Sequence, residues 1–394
     1  MNVKYNSEKS KRIKKINSFN LLAKPKKRNK SLHKIYNPEK ENINSINIKD
    51  NIEKKEKEKI LVKNTDLNIN LNFYKDLSNE SFVDDFFSSI NDTFTIFNSI
   101  NSILYLVFAS IEKSIISYDL KNFQKICELK NAHSKYITNF RHIFDKKEKR
   151  DIIMSVSAID NNLKLWNVNK WDYFLEIKNV NEKGALFSAS FLLQKNEIFI
   201  LSSNYNFFKK KEPIKLFNLN QEKIFEIKID SSIIYLDCYY ENDFNNIFII
   251  INAQNKIISY DYSNNKIYNK YGKNKSSYFS LIINDNKKNS KLFASNFDGS
   301  IEIYEFHSGK LLNEIDINFK GFYGLCLWNE NNLLVACCDN TIKIINLEEK
   351  KLKKCLYGHG NYVTTLKKIY INNLGECLIS QGITSDTIKL WKME

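Results

Sequence analysis

Seven stretches of the chain share one hydrophobic and polar pattern: small or polar, apolar, any residue, apolar, aromatic, polar, apolar. They are SIISYDL (114–120), NLKLWNV (162–168), PIKLFNL (213–219), KIISYDY (256–262), SIEIYEF (300–306), TIKIINL (341–347) and TIKLWKM (387–393). Their fifth positions are Tyr118, Trp166, Phe217, Tyr260, Tyr304, Ile345 and Trp391, spaced 48, 51, 43, 44, 41 and 46 residues apart. Short β-branched and aromatic runs between Asn, Asp, Ser and Lys turns predict strands, and a period of 41 to 51 residues predicts a repeat architecture.

A second apolar run precedes each segment, for example Ile152–Ser157 or Leu333–Cys337, and a third follows all but the last, for example Phe174–Ile177. With a leading strand such as Ile137–Phe144 or Tyr362–Ile369, each unit has four strands. The expected fold is all-β: a seven-bladed β-propeller of four-stranded blades.

The repeat resembles the WD-repeat (WD40) family. Gly358-His359 precedes Trp391-Lys392, and Ala132-His133 precedes Trp166-Asn167, with His-to-Trp separations of 32 and 33 residues. Six residues before the fifth-position residue stands Asp160, Asp298 or Asp339 in three units, and Glu112 in a fourth. The resemblance implies a buried hydrogen-bond network in which the histidine, the turn aspartate and the strand tryptophan meet a Ser or Thr. His133, Asp160 and Trp166 are placed for one, although the expected hydroxyl position holds Ala158, with Ser157 one residue away. His359 and Trp391 are the matching pair in the last unit.

The last segment ends close to Glu394, which leaves the seventh blade without an outer strand from its own unit. The resemblance implies that a strand from the N-terminal side fills that slot; Ile60–Val62 and Phe82–Phe87 are candidates within a window of 58–90. The domain reading is a disordered basic tail, 1–57, and a propeller, 58–394.

Charge changes the picture because of where it sits. The 394 residues carry 60 Lys and Arg against 45 Asp and Glu, a formal charge of +15. Residues 1–63 hold 19 of the cations and 7 of the anions, so residues 64–394 carry a net charge of only +3. The basicity belongs to the tail, and a nearly neutral body argues against a broad phosphate-binding face. Asn, Lys and Ile crowd the turns, with only 10 Gly and 3 Pro in the chain, a pattern of codon bias. Hydrophobic residues make up 43% of the chain, which excludes wholesale disorder. No apolar run reaches the ~20 residues of a membrane span, so a soluble intracellular protein is expected. The seven cysteines form no CxxC pair and read as reduced core residues.

No P-loop, dinucleotide fingerprint, HExxH or GxSxG motif occurs, and only five histidines are present. No catalytic residue, metal or cofactor is expected, and the protein reads as a non-enzyme. In the tail, Lys11-Arg12 and Lys24-Pro25-Lys26-Lys27-Arg28, separated by eleven residues, match a bipartite nuclear-import signal. A Lys-rich tail that reflects codon bias alone is the equal alternative, and basic tails also hold nucleic acid or acidic lipid without specificity.

The loop Asn204–Glu212 sets Phe207 and Phe208 beside Lys209, Lys210 and Lys211, a composition suited to an acidic partner. Tyr136 and Tyr362 each follow a blade histidine by three residues, where the resemblance implies contact positions. The expected function is a scaffold for protein partners in a complex, plausibly nuclear, built on a monomeric propeller. An RNA- or ribonucleoprotein-associated propeller is the second reading. A ubiquitin-ligase adaptor and a phosphoinositide-binding propeller rank lower, because the arginines of both families are missing.

Overall fold

The structure, a computed structural model, describes residues 71–77 and 93–393, apart from 111–112, 179, 181–184, 204–212, 242–245, 254–255, 273–277, 285–288, 297, 318–320 and 384–387. The described residues all fall in one compact unit, Leu67–Glu394.

Twenty-eight strands form seven antiparallel sheets of four. One strand, β1 (Leu71–Asp76), precedes the first complete blade. Blade 1 is β2 (Phe94–Asn98), β3 (Leu104–Ala109), β4 (Ile115–Asp119) and β5 (Gln124–Leu129). Blade 2 is β6 (Asn139–Asp145), β7 (Arg150–Ser157), β8 (Asn162–Asn167) and β9 (Asp172–Ile177). Blade 3 is β10 (Ala189–Gln194), β11 (Glu197–Ser202), β12 (Ile214–Asn218) and β13 (Lys223–Ile227). Blade 4 is β14 (Ile233–Glu241), β15 (Asn246–Ala253), β16 (Lys256–Asp261) and β17 (Lys266–Tyr271). Blade 5 is β18 (Tyr278–Asn284), β19 (Lys291–Asn296), β20 (Ser300–Glu305) and β21 (Leu311–Asp316). Blade 6 is β22 (Phe322–Asn329), β23 (Asn332–Cys337), β24 (Ile342–Asn346) and β25 (Lys351–Leu356). Blade 7 is β26 (Val363–Ile371), β27 (Gly375–Gly382) and β28 (Ile388–Met393), completed by β1.

The seven pattern segments are the third strands, and their neighbours explain why those strands read as nearly continuous apolar runs. Both faces of a blade are covered by other blades. In β3, Leu104, Leu106 and Phe108 join one core while Tyr105, Val107 and Ala109 join another. In β7, Ile152, Met154 and Val156 pack toward blade 3, and Ile153 packs toward blade 1. Alternation is still present, but it divides apolar residues between two cores instead of dividing core from solvent. Seven buried clusters result, one at each blade-to-blade interface, the seventh joining blade 7 to blade 1.

Closure runs through β1, which pairs with β28 from Leu71 opposite Met393 to Asp76 opposite Lys389. This segment lies within the expected window of 58–90 but is neither of the two candidates in it; Ile60–Val62 and Phe82–Phe87 lie outside the described residues. An ion pair of 2.6 Å joins Lys389 to Asp76, and Leu77 N donates to Ile388 O. On the inner side, the Thr93 hydroxyl donates to the Gln381 amide oxygen across the same junction.

Local backbone features repeat with the blades. The outer strand of each sheet carries a β-bulge beside the residue opposite the fifth pattern position. The turns into the outer strands place Phe123, Trp171, Gln221, Asn265, Gly309 and Lys350 at positive φ. Glycine occupies only one of those six positions. The low glycine content thus leaves bulkier residues in left-handed backbone, at a cost of about 1 kcal/mol each.

Candidate functional site

The loops that lead into the inner strands of blades 2 and 7 are held from beneath by the same three side chains. In blade 2, His133 and Trp166 are buried and converge on Ser155, which is fully buried in β7. The Trp166 indole N–H donates to Ser155 Oγ at 2.8 Å, and His133 Nε2 lies 2.8 Å from the same oxygen. In blade 7, Trp391 Nε1 donates to Ser380 Oγ at 2.7 Å, and His359 Nε2 lies 2.6 Å from it. One hydroxyl therefore ties together two buried rings on two other chain segments, which fixes both strand register and loop position, while His133 Nδ1 is buried without a partner among the described residues.

The hydroxyl is not where the sequence reading placed it. Ala158 and Ser157 are outside the triad, and Ser157 Oγ has no hydrogen-bond partner among the described residues. Register is the reason: Ser155 faces Lys164, two residues before Trp166, whereas Ser157 faces Asn162 at the strand end. Ser155 and Ser380 each lie eleven residues before their tryptophan, a constant offset that the sequence does carry.

Asp160 is also outside the triad. Its carboxylate accepts from Ser134 Oγ at 2.7 Å and from the Lys135 amide at 2.8 Å, tying the β7–β8 turn to the loop that carries His133. Asp298 and Asp339 instead close their own turns, accepting from Ser300 and Thr341. A short carboxylate in a turn reaches whichever N–H the loop presents, and only blade 2 presents Ser134 and Lys135.

His133 is held neutral. Burial, with the Lys164 ammonium adding to it and Asp160 opposing, pushes its pKa down to about 3. Lys164 spans the loop as well, donating to Ala132 O at 2.8 Å. Lys215 makes the equivalent bond in blade 3, to Val180 O at 3.0 Å.

Above these anchors, Tyr362 is 41% exposed and Tyr136 half-buried. Tyr357, in the loop into β26, and Ile159, in the β7–β8 turn, which the sequence reading did not single out, are 59% and 52% exposed. Asn340, from the adjoining turn of blade 6, donates to Gly360 O and supports the Tyr362 loop. Phe207, Phe208, Lys209, Lys210 and Lys211 lie outside the described residues, as do Lys11, Arg12, Lys24, Lys26, Lys27 and Arg28.

Among the described residues no group of three His, Cys, Asp or Glu side chains is arranged to hold a metal ion. The cysteines are all free, and burial pushes the Cys326 and Cys377 thiols up to about 11. Among the described residues, no helix is long and apolar enough to cross a membrane.

Fold and site together define a seven-bladed β-propeller whose loops stand on buried His–Ser–Trp anchors. Over 102 residues, 26% of this chain, it is 24% identical to the U3 small nucleolar RNA-associated protein 21 homolog of Schizosaccharomyces pombe; that match spans 11% of the relative's length. Among solved structures, BBS1N from its complex with ARL6DN superposes with a TM-score of 0.63 at 10% identity, over 83% of this chain and 98% of that one. No family model matches the chain.

Proposed function

We propose that this chain is a WD-repeat-type propeller that acts, without catalysis of its own, as a scaffold for protein partners in a multiprotein complex. The observation that carries this reading is the pair of buried triads. They spend blade residues on fixing loops that display Tyr136 and Tyr362, and a rigid loop platform is what a docking surface requires. In this reading residues 58–394 form the propeller and residues 1–57 an address or tether, with Lys11, Arg12, Lys24, Lys26, Lys27 and Arg28 directing nuclear import. The loop of Phe207, Phe208, Lys209, Lys210 and Lys211 is a further contact candidate.

Affinity purification of the tagged chain, with Tyr136→Ala/Tyr362→Ala beside it, tests the scaffold. Stoichiometric partners held by the wild type and lost by the variant are expected; no stoichiometric partner for the wild type overturns the reading. Localisation with and without residues 1–34 tests the address, and nuclear exclusion of the full chain overturns it.

The similarity to a small nucleolar RNA-associated protein favours a second reading, a propeller that works within a ribonucleoprotein. RNA affinity measured against salt, with and without residues 1–57, separates the two: a steep slope lost with the tail supports the second.

A further inference from the structure

Each blade ends in an outer strand with one row of backbone N–H and C=O groups turned away from the sheet. Such edges are templates for another strand, and lysines within the strand are a common protection. Five of the seven outer strands contain one: Lys75, Lys125, Lys223, Lys266 and Lys351. The exceptions are β9, reading DYFLEI, and β21, reading LLNEID.

Strand β9 carries two adjacent exposed aromatics, Tyr173 at 53% and Phe174 at 37%. The bulge between the pairs Trp166–Tyr173 and Leu165–Leu175 falls at Phe174. Both rings are held from behind. The Lys164 ammonium lies 4.8 Å from the Tyr173 centroid, and the Arg150 guanidinium 4.2 Å from that of Phe174. Asp145 in turn holds Arg150 at 3.3 Å. The β6–β7 and β8–β9 turns, at one end of this blade, add exposed Lys146, Lys147, Lys149 and Lys170. With Arg150 that makes five cations against Asp145, Glu148 and Asp172, a local +2 in a body whose whole charge is +3. Counted the same way, the matching turns of blade 3 hold Lys195 and Lys223 against Glu197 and Glu222, and those of blade 6 hold Lys350 and Lys351 against Glu330, Glu348 and Glu349.

We propose that the outer edge of β9 is a docking edge for an extended acidic peptide of a partner protein, which adds to blade 2 as a fifth strand. The peptide backbone pairs with the free edge, alternate apolar side chains cover Tyr173 and Phe174, and its carboxylates meet the turn lysines. This rests on the scaffold reading and names the chemistry of one partner. A peptide fits better than a nucleic acid: a nucleic acid leaves the edge amides unused, Asp172 and Glu148 stand among the cations, and Arg150 and Lys164 already cover one face of each ring.

The test is a displayed random dodecapeptide library panned on the full-length chain, with the enriched sequences made as synthetic peptides. Two variants are compared: Tyr173→Lys/Phe174→Lys, which gives β9 the protection of its sister strands, and Lys147→Glu/Lys149→Glu. All four positions are exposed, so far-UV circular dichroism is expected to be unchanged. Enrichment of acidic sequences with alternating apolar residues is expected. Their binding should be weaker by about tenfold or more to each variant, and lost on N-methylation of alternate amides.

The proposal is overturned by absent enrichment, by a basic consensus, by equal binding to the variants, or by tolerance of N-methylation. Tighter lysine-dependent binding of an oligouridylate overturns it in favour of nucleic acid. Dimerisation of the wild type that Tyr173→Lys/Phe174→Lys abolishes overturns it in favour of a second copy. If tagged wild type and that variant recover the same stoichiometric partners, the scaffold stands and this edge is not the dock.

Discussion

Ser155, Ser380 and Ser202 occupy one register position in three blades, opposite the residue two before the fifth pattern position: Lys164, Lys389 and Lys215. Yet Ser→Ala should have opposite effects in blades 2 and 3. Ser155 Oγ is the partner of both His133 and Trp166, so Ser155→Ala orphans an indole N–H and an imidazole nitrogen inside the protein. Each orphan costs about 1–3 kcal/mol, together about 2–6 kcal/mol. Ser202 faces a blade whose pattern residue is Phe217, which has no N–H, and its fully buried hydroxyl has no partner among the described residues. Ser202→Ala removes a hydroxyl already desolvated without return, so the expected change is between zero and a gain of about 1–2 kcal/mol. At about 2 °C per kcal/mol for a domain of this size, Tm should fall by about 4–12 °C for Ser155→Ala, and stay level or rise by up to about 4 °C for Ser202→Ala. Differential scanning calorimetry of both variants at neutral pH makes the comparison. Equal losses would show that the shared position matters for packing alone, and would refute the hydrogen-bond argument.

Gly324→Ala should destabilise by about 3 kcal/mol, because a Cβ there would sit 2.4 Å from Thr364 O and 3.4 Å from the Ala336 Cβ, and the inner strands of blades 6 and 7 would have to part; an unchanged Tm would contradict this close approach. His133, held neutral down to about pH 3, leaves the unfolded chain binding the extra proton below about pH 6.5, so stability should fall with decreasing pH by about 1.4 kcal/mol per unit from this group and be insensitive to it above that value. Urea midpoints between pH 7 and 5 should show that slope reduced in His133→Asn. Lys350→Gly should stabilise by about 0.5–1 kcal/mol, since a φ of 55° strains lysine but not glycine, and a lower thermal midpoint would speak against strain at that turn.

What the sequence could and could not reveal follows from which physical features have a linear signature. The third strands were legible because each presents the same face to the same environment every 41 to 51 residues. The serine of the triad was not, because Ser155 and Ser157 alternate with Met154 and Val156 in a run buried on both faces, and only the pairing with β8 tells them apart. Reading the His-to-Trp spacing drew attention to the rings and away from the small residue that joins them. The closing strand falls within the expected window of 58–90, but its own segment was not singled out, for a different reason. Leu71–Asp76 reads LNFYKD and, like the outer strands QKICEL and LLNEID, lacks the apolar run that marks the inner strands, because an outer strand pairs with only one neighbour. The edge of β9 was hidden by averaging: +3 over residues 64–394 looks diffuse until the turns of blade 2 are placed side by side.

Closure explains why one of the two triads sits in blade 7. Bringing β1 to β28 closes a loop of more than 300 residues, a chain-entropy cost of about 5 kcal/mol by loop-closure scaling. The junction core offsets this, with Phe94, Leu106, Phe108, Ile379 and Leu390 all fully buried and each contributing about 1.5–3 kcal/mol. But apolar contact is non-directional and tolerates a strand that slips by two residues, which keeps the same face inward. Trp391 bonded to Ser380 holds β28 in one register against β27, and β28 is the template on which β1 must land with Asp76 beside Lys389. The triad of blade 7 thus sets the register of the closing strand from one strand away, while that of blade 2 fixes only strands and a loop of its own blade. Loss of Ser380 should therefore weaken ring closure as well as the blade, and cost more than loss of Ser155 although the two bond sets are alike.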